Sequence, residues 1–254
     1  MPAGEAVVTA YEDAADSVSL REEAGQVETA RRALVRIENL AAPGKLVDIG
    51  CWTGSFLVAA RDRGWEGVGL EPSHWAAARA TQRGLDVHSG ELFDHDLVAG
   101  SYRVAVLCDV IEHLSDPGAG IDRLWDLLEA DGLLYLTLPD AGSRLARLLG
   151  RRWWSVLPMH LQYFTRPSVA RLLNDRGFEV KSIRTHAKAF SGKYYAERLG
   201  GYSPLLGKVS VGVATLMRMG DRIIAPDFRD RMAVIAVRSA QRPAREERRA
   251  DGAD

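Results

Sequence analysis

The stretch Lys45-Leu-Val-Asp-Ile-Gly50-Cys-Trp-Thr-Gly54 opens with a short apolar run and passes through a turn bracketed by two glycines. It then enters Ser55-Phe-Leu-Val-Ala-Ala-Arg61 with helical spacing. A strand, a glycine-bearing turn and a helix in that order begin a βαβ unit. The pattern extends on both sides. Upstream, Val27, Ala30, Ala33, Leu34, Ile37 and Leu40 recur at helical spacing and predict an amphipathic helix covering an edge of the sheet. Downstream, residues 67–70, 86–88, 103–108 and 133–138 read as strands, with helical patterns over 55–63, 74–82 and 121–129. Strands interleaved with helices of this length predict an α/β fold with a mainly parallel sheet.

The punctuation agrees. Gly64, Gly84 and Gly132 each follow a helical run where a left-handed residue is wanted. Ser73 and the Asp116-Pro117 pair are placed to start helices, and Thr165, Pro167 and Gly177 bracket a helix over 168–176. Two further strands, 178–185 and 232–238, are separated by a stretch too long for a hairpin. Residues 186–230 are therefore expected to form a helical insertion before the last strand. Within it, Leu205, Leu206, Val209, Val213, Leu216 and Met217 make an apolar stripe, preceded by Tyr194, Tyr195 and Tyr202 beside Gly200-Gly201. The insertion reads either as a lid over an acceptor or as a homodimer contact.

A chain of 254 residues fits one large domain, divided into an N-terminal segment (1–26), the domain (27–239) and a disordered tail (240–254) too polar to bury a core. With 33 basic and 34 acidic side chains the net charge is −1, so no global field favours nucleic acid or an anionic membrane, and a small molecule is the default partner. Cys51 and Cys108 each sit in an apolar run, as buried thiols do, which argues against a disulfide framework or a structural zinc. No run approaches the ~18 consecutive apolar residues of a membrane span. Acids at Glu5, Glu12, Asp13 and Asp16 argue against a signal peptide. A cytoplasmic location is expected.

In an open parallel sheet, ligands lie beyond the carboxyl ends of the strands where strand order reverses, so the 48–54 turn is the first candidate site. Its glycines allow tight backbone angles and close approach to a ligand. Glu71 ends the next strand 21 residues after Gly50, placed to accept hydrogen bonds from two ribose hydroxyls. A plain turn and a solvated strand end would explain each feature alone; their joint spacing favours a site. The turn is not the G-x-G-x-x-G of NAD-linked oxidoreductases, because Trp52 holds the middle glycine place and Gly54 comes two residues later. Asp48 would repel a pyrophosphate, whereas its charge is compatible with the cationic methionyl end of S-adenosylmethionine.

Together, VDIGCWTG (47–54), GVGLEPS (67–73), HSGELF (88–93), CDVIEHLSDP (108–117), GLLYLTLPD (132–140) and HLQYFT (160–165) followed by Gly177-Phe178 resemble class I S-adenosylmethionine-dependent methyltransferases. The branch is the one similar to ubiquinone-pathway O-methyltransferases and to sugar and natural-product methyltransferases. The likeness spans about residues 27–185. It implies a Rossmann-like, seven-stranded, mostly parallel sheet flanked by helices, and S-adenosyl-L-methionine as cofactor. It further implies that Asp48, Gly50, Cys51 and Gly54 hold the methionine end, Glu71 with Pro72 beside it the ribose, and Glu91 and Leu92 the adenine edge. Asp109 and Val110 would line the cofactor at the fourth strand's end. Two positions depart from the family pattern: Trp52 replaces a common glycine, and Arg103 stands where an acid often opens the fourth strand, as a surface substitution.

Methyl transfer asks an enzyme mainly to align the acceptor, which can be worth about 7–11 kcal/mol of barrier, and to accept a proton when the acceptor is a hydroxyl. His113 and His160, in the segments after the fourth and fifth strands, are the candidate bases; backbone-bonded structural histidines are the alternative. Asp109, Glu112 and His113 stand at i, i+3 and i+4 and on a helical turn would present two carboxylates and an imidazole to a divalent metal, or simply cap the turn. The set is similar to the E-x-x-E-H cluster of metal-dependent ubiquinone-pathway and small-RNA methyltransferases. Trp153, Trp154, Tyr163 and Phe164 flank His160 and either wall an acceptor pocket or pack internally. Arg144, Arg147, Arg151 and Arg152 are either a solvated face or the contact for an anionic acceptor. The expected reaction is O-methylation of a sugar or secondary-metabolite hydroxyl. N- or C-methylation and a non-catalytic S-adenosylmethionine-binding module are the alternatives.

Overall fold

Leu46 and Val47, or Val104 and Ala105, are wholly buried although consecutive strand residues point to opposite faces, so both faces of these strands are covered. The computed structural model describes residues 21–94, 97–199 and 222–241. Its strands are β1 (Lys45–Ile49), β2 (Glu66–Glu71), β3 (Asp86–Ser89), β4 (Tyr102–Cys108), β5 (Leu128–Pro139), β6 (Phe178–Thr185), β7 (Phe190–Ser191), β8 (Ile223–Ile224) and β9 (Arg231–Arg238). Seven form one sheet in the order β3-β2-β1-β4-β5-β9-β6, parallel except for β9, which runs antiparallel between β5 and β6. Strand order reverses between β1 and β4, and the crevice at their carboxyl ends is where such a sheet takes a ligand.

The helices are α1 (Glu23–Glu38), α2 (Ser55–Arg61), α3 (His74–Gln82), α4 (Pro117–Leu127), α5 (Arg144–Leu149), α6 (Arg166–Asn174) and α7 (Gly192–Leu199). Leu34 and Ile37 of α1 pack with Leu57, Leu46, Val104 and Tyr135 on one face of the sheet. Ile121, Leu124, Val169 and Leu173 pack with Val47, Ala105, Leu107 and Val234 on the other. Each such side chain contributes about 1.5–3 kcal/mol by leaving water. The expected caps form: Ser73 accepts from the Ala76 N–H, Asp116 from Ala119, and Thr165 makes a reciprocal capping box with Ser168. Gly64, Gly84 and Gly177 take the left-handed backbone expected of them.

Three expectations are corrected. The left-handed residue is Asp131, within β5, rather than Gly132, and α4 stops at Leu127, because Leu128 already pairs with Tyr102. Helix α1 starts at Glu23, ahead of the boundary set at residue 27. The described part of the 186–230 insertion is not purely helical. Its β7 and β8 form a small antiparallel pair of two-residue strands, too short for any periodicity to show. This flank is tied to α1: the Ser191 N–H and hydroxyl donate to the Glu22 carboxylate, and the Ala189 N–H to Thr29 Oγ1. The apolar stripe 205–217, Tyr202 and Gly200-Gly201 lie outside the described residues, as do 1–20 and most of the tail. Among the described residues no helix is long and apolar enough to cross a membrane.

Candidate active site

The turn after β1 curls through three left-handed residues, Gly50 (φ 68°), Trp52 (φ 50°) and Gly54 (φ 80°). A Cβ at Gly50 would lie 2.5 Å from Val110 Cγ2, so the turn rests directly on the chain leaving β4. The Gly50 N–H donates to the Leu70 carbonyl at 2.7 Å. Glu71 is fully buried, and its carboxylate accepts from the Trp52 N–H at 2.7 Å and the Ser73 N–H at 3.0 Å. Burial raises its pKa against those two bonds. A carboxylate offers about four lone-pair sites, so two remain for a pair of hydroxyls. Burial, and then the Glu71 charge, push Asp48 well above the usual carboxylate range. A cation beside Asp48 would favour its ionised form against that burial.

The rest of the predicted cofactor set divides. Pro72 is half-buried between Glu71 and the α3 cap. Cys51 is buried, which raises its thiol far out of reactive range, and Cys108 is pushed up to about 12 in the same way. The Trp52 ring lies 5.7 Å from Trp75 at the start of α3, so it packs sideways against the helix. Glu91 is exposed, whereas Leu92 sits in the core, where it anchors the loop expected at the adenine edge. Arg103 makes a half-exposed surface ion pair with Glu129.

Past β4 the expected helical turn does not form. Asp109 takes a left-handed backbone (φ 60°), and a 3₁₀ turn over Ile111–His113 follows, so i, i+3, i+4 spacing no longer places three side chains on one face. The Asp109 carboxylate is ion-paired with both Lys188 and Arg231. Arg231 is buried, which lowers it to about 10. Glu112 is 2% exposed, and neither of its carboxylate oxygens has a hydrogen-bond partner among the described residues. Burial raises it to about 7.

His160 takes the place expected of Asp109. One ligand atom from each of Glu112, His113 and His160 lies within 4.8 Å of the others, and the two imidazoles meet edge to face at 4.8 Å. His113 Nδ1 is 2.9 Å from the Met159 carbonyl, and His160 Nδ1 is 2.8 Å from the Ser155 carbonyl. A carbonyl only accepts, so each ring carries its proton on Nδ1 and keeps a lone pair on Nε2. Burial lowers His113 to about 4 and lowers His160 as well. Both are neutral near pH 7. The Gln162 N–H donates to the Glu112 carbonyl at 3.0 Å, tying the two segments together. The arrangement can accept a proton or present three donors to a divalent cation.

Of the aromatic wall, Trp153 is buried and donates from Nε1 to Asp230, a structural role. Trp154 stacks edge to face with Phe228, Tyr163 is exposed 6.5 Å from His160, and Phe164 packs against the core. Sequence reading missed Lys188 and Arg231. Lys188 lies near the start of the 186–230 insertion and Arg231 opens β9 just after it, and no local motif marks them.

A family model described as a methyltransferase domain matches residues 21–183. No curated protein matches the sequence. Among solved structures, similarity extends to a Thermotoga maritima S-adenosylmethionine-dependent methyltransferase described as a possible histamine N-methyltransferase, at 18% identity over 87% of this chain and 92% of that one, with a TM-score of 0.56. It extends also to the geranyl diphosphate C-methyltransferase of Streptomyces coelicolor, solved with Mg2+, geranyl diphosphate and S-adenosylhomocysteine, at 14% identity over 94% and 98% (TM-score 0.59). A third is the magnesium protoporphyrin IX methyltransferase of Synechocystis with bound S-adenosylmethionine, at 16% identity over 94% and 98% (TM-score 0.55). At these identities the likeness is one of fold.

Proposed function

The chain belongs to the methyltransferase-domain family, and on that premise we propose that it methylates a hydroxyl of a small acceptor, a sugar or secondary metabolite, with S-adenosyl-L-methionine as donor. When bound, that cofactor supplies a sulfonium-activated methyl group open to in-line displacement. Gly50 and Gly54 give its methionyl end close backbone approach. Asp48 answers its positive charge, and Glu71 keeps two lone-pair sites for the ribose. The observation that carries the reading is the convergence of His160 with Glu112 and His113, which lie two and three residues beyond Val110, itself in touch with the Gly50 turn. A hydroxyl must lose its proton as the new bond forms, and two neutral Nε2 atoms beside a carboxyl group supply acceptors for it, whereas a free amine needs none.

A second reading rests on Glu112 alone. A buried carboxylate with neither oxygen partnered is costly unless a cation or ligand meets it. Glu112, His113 and His160 would hold a divalent metal, which would draw charge from an acceptor hydroxyl.

The test is S-adenosylhomocysteine release by the purified protein across hydroxylated acceptors, with the methylated atom located by mass spectrometry and NMR. A methyl group on oxygen supports the proposal. Methyl on nitrogen or carbon would overturn its finer part, and cofactor binding without turnover on any acceptor would point to a non-catalytic binding module. The lid or homodimer role of residues 186–230 remains a proposal from sequence. Light scattering of a variant with 194–202 replaced by a Gly/Ser linker separates the two.

A further inference from the structure

Between Asp140 and Asp175 the chain carries six arginines and no acidic residue, in a protein whose net charge is −1. Arg166 is paired with Asp140 and Arg171 with Asp175. The other four, Arg144, Arg147, Arg151 and Arg152, are exposed, and none is ion-paired among the described residues. The same segment concentrates apolar surface. Of the twelve exposed large apolar side chains among the described residues, six fall within residues 148–163. Leu148 is 81% exposed, and Val156, Leu157, Met159, Leu161 and Tyr163 follow.

The backbone explains why these side chains face outward. Trp153 and Ser155 are buried, and the Trp153 indole is held by Asp230, so the segment is pinned at its middle. Successive turns close around that anchor, from the Trp153 N–H to Gly150, Val156 to Trp153 and His160 to Leu157. Arginines on one side of the anchor and aliphatic side chains on both sides are left in water. Arginines alone would suit any polyanion. Nucleic acid takes aliphatic side chains only as isolated wedges between base steps, whereas the boundary between lipid headgroups and acyl chains accommodates several of them together with arginines.

We propose that residues 144–163 form a peripheral docking surface for a bilayer containing anionic lipids. The four arginines meet headgroups, and Leu148, Val156, Leu157 and Met159 enter the boundary beneath them. The surface adjoins the chemistry: His160 belongs to the segment, and the carbonyls of Met159 and Ser155 hold the two imidazoles. Docking would bring the acceptor side of the site to the membrane, and it is measured without any assumption about the reaction.

The experiment is flotation of the full chain with vesicles of phosphatidylcholine alone or with roughly one-third phosphatidylglycerol, at low and high salt. Binding to the anionic vesicles, reversed by salt and absent from the neutral ones, is expected. The double variant Arg151→Glu, Arg152→Glu should lower the partition coefficient by at least about 30-fold, since each arginine near such a surface is worth about fivefold. Leu148→Ser should lower it several-fold at unchanged charge, with circular dichroism and melting temperature showing both variants folded. Absence of binding at low salt, equal binding to neutral vesicles, or wild-type binding by the folded double variant would overturn the proposal. So would salt-sensitive binding to duplex DNA, lost in that variant, by a protein that ignores vesicles.

Discussion

The carboxyl ends of β1 and β2 differ from the carboxyl end of β4 in how their polar groups are satisfied. At the first, both Glu71 oxygens accept backbone N–H groups from the turn and the α3 entry, partners no more than 19 residues away. At the second, both Glu112 oxygens lack hydrogen-bond partners among the described residues, and the imidazoles are oriented by a loop whose contact to His113 spans 46 residues. A satisfied site is rigid before its ligand arrives. An unsatisfied buried carboxylate costs about 1–3 kcal/mol or more and is kept only where something else uses it. On the proposed assignment, the cofactor half is built by its own backbone, and the acceptor half would be completed by what binds there.

The largest effect that would sharpen this contrast is on turnover. His160→Ala or Glu112→Gln should lower kcat by ~10²–10⁴-fold while S-adenosylhomocysteine affinity in calorimetry stays within about twofold. Unchanged turnover in both would remove the cluster from the chemistry. Loss in chelator with rescue by magnesium would assign it to metal binding. Next comes the cofactor half: Gly50→Ala needs a left-handed alanine with its Cβ against Val110 and should weaken cofactor binding by about 100-fold. Near-native affinity would show that the turn yields rather than holds.

Glu71→Ala removes a charged acceptor and frees the Trp52 and Ser73 N–H groups, for a loss of ~1.5–3 kcal/mol in cofactor affinity, about 10- to 150-fold. An isotherm superimposing on wild type would show that Glu71 serves only the turn. The smallest effect concerns stability. Burial lowers His186 to about 3, so between that pH and about 6.5 the unfolded chain takes up a proton that the folded chain refuses. Stability should fall as pH drops through that window, and His186→Gln should flatten the slope of the urea midpoint against pH. Parallel slopes would show that His186 is not responsible.

The alternating runs from Lys45 onward, the caps at Ser73, Asp116 and Thr165, and the pairing of the Gly50 turn with Glu71 were legible in the sequence. Each depends on neighbours a few residues away or on one repeated βαβ unit. Asp131 in place of Gly132, and the two-residue strands β7 and β8, were not: local propensity yields there to pairing partners elsewhere in the chain. The acceptor half shows the limit most clearly. Asp109, Glu112 and His113 suggested a helical face, but Asp109 is drawn to Lys188 and Arg231, 79 and 122 residues away, and His160 takes its place beside Glu112. Hydrogen bonding within a short segment fixes caps and turns wherever the segment lies. Which buried charges meet is decided only when the sheet has brought distant strand ends together, because an ion pair is set by position in space and not by spacing along the chain.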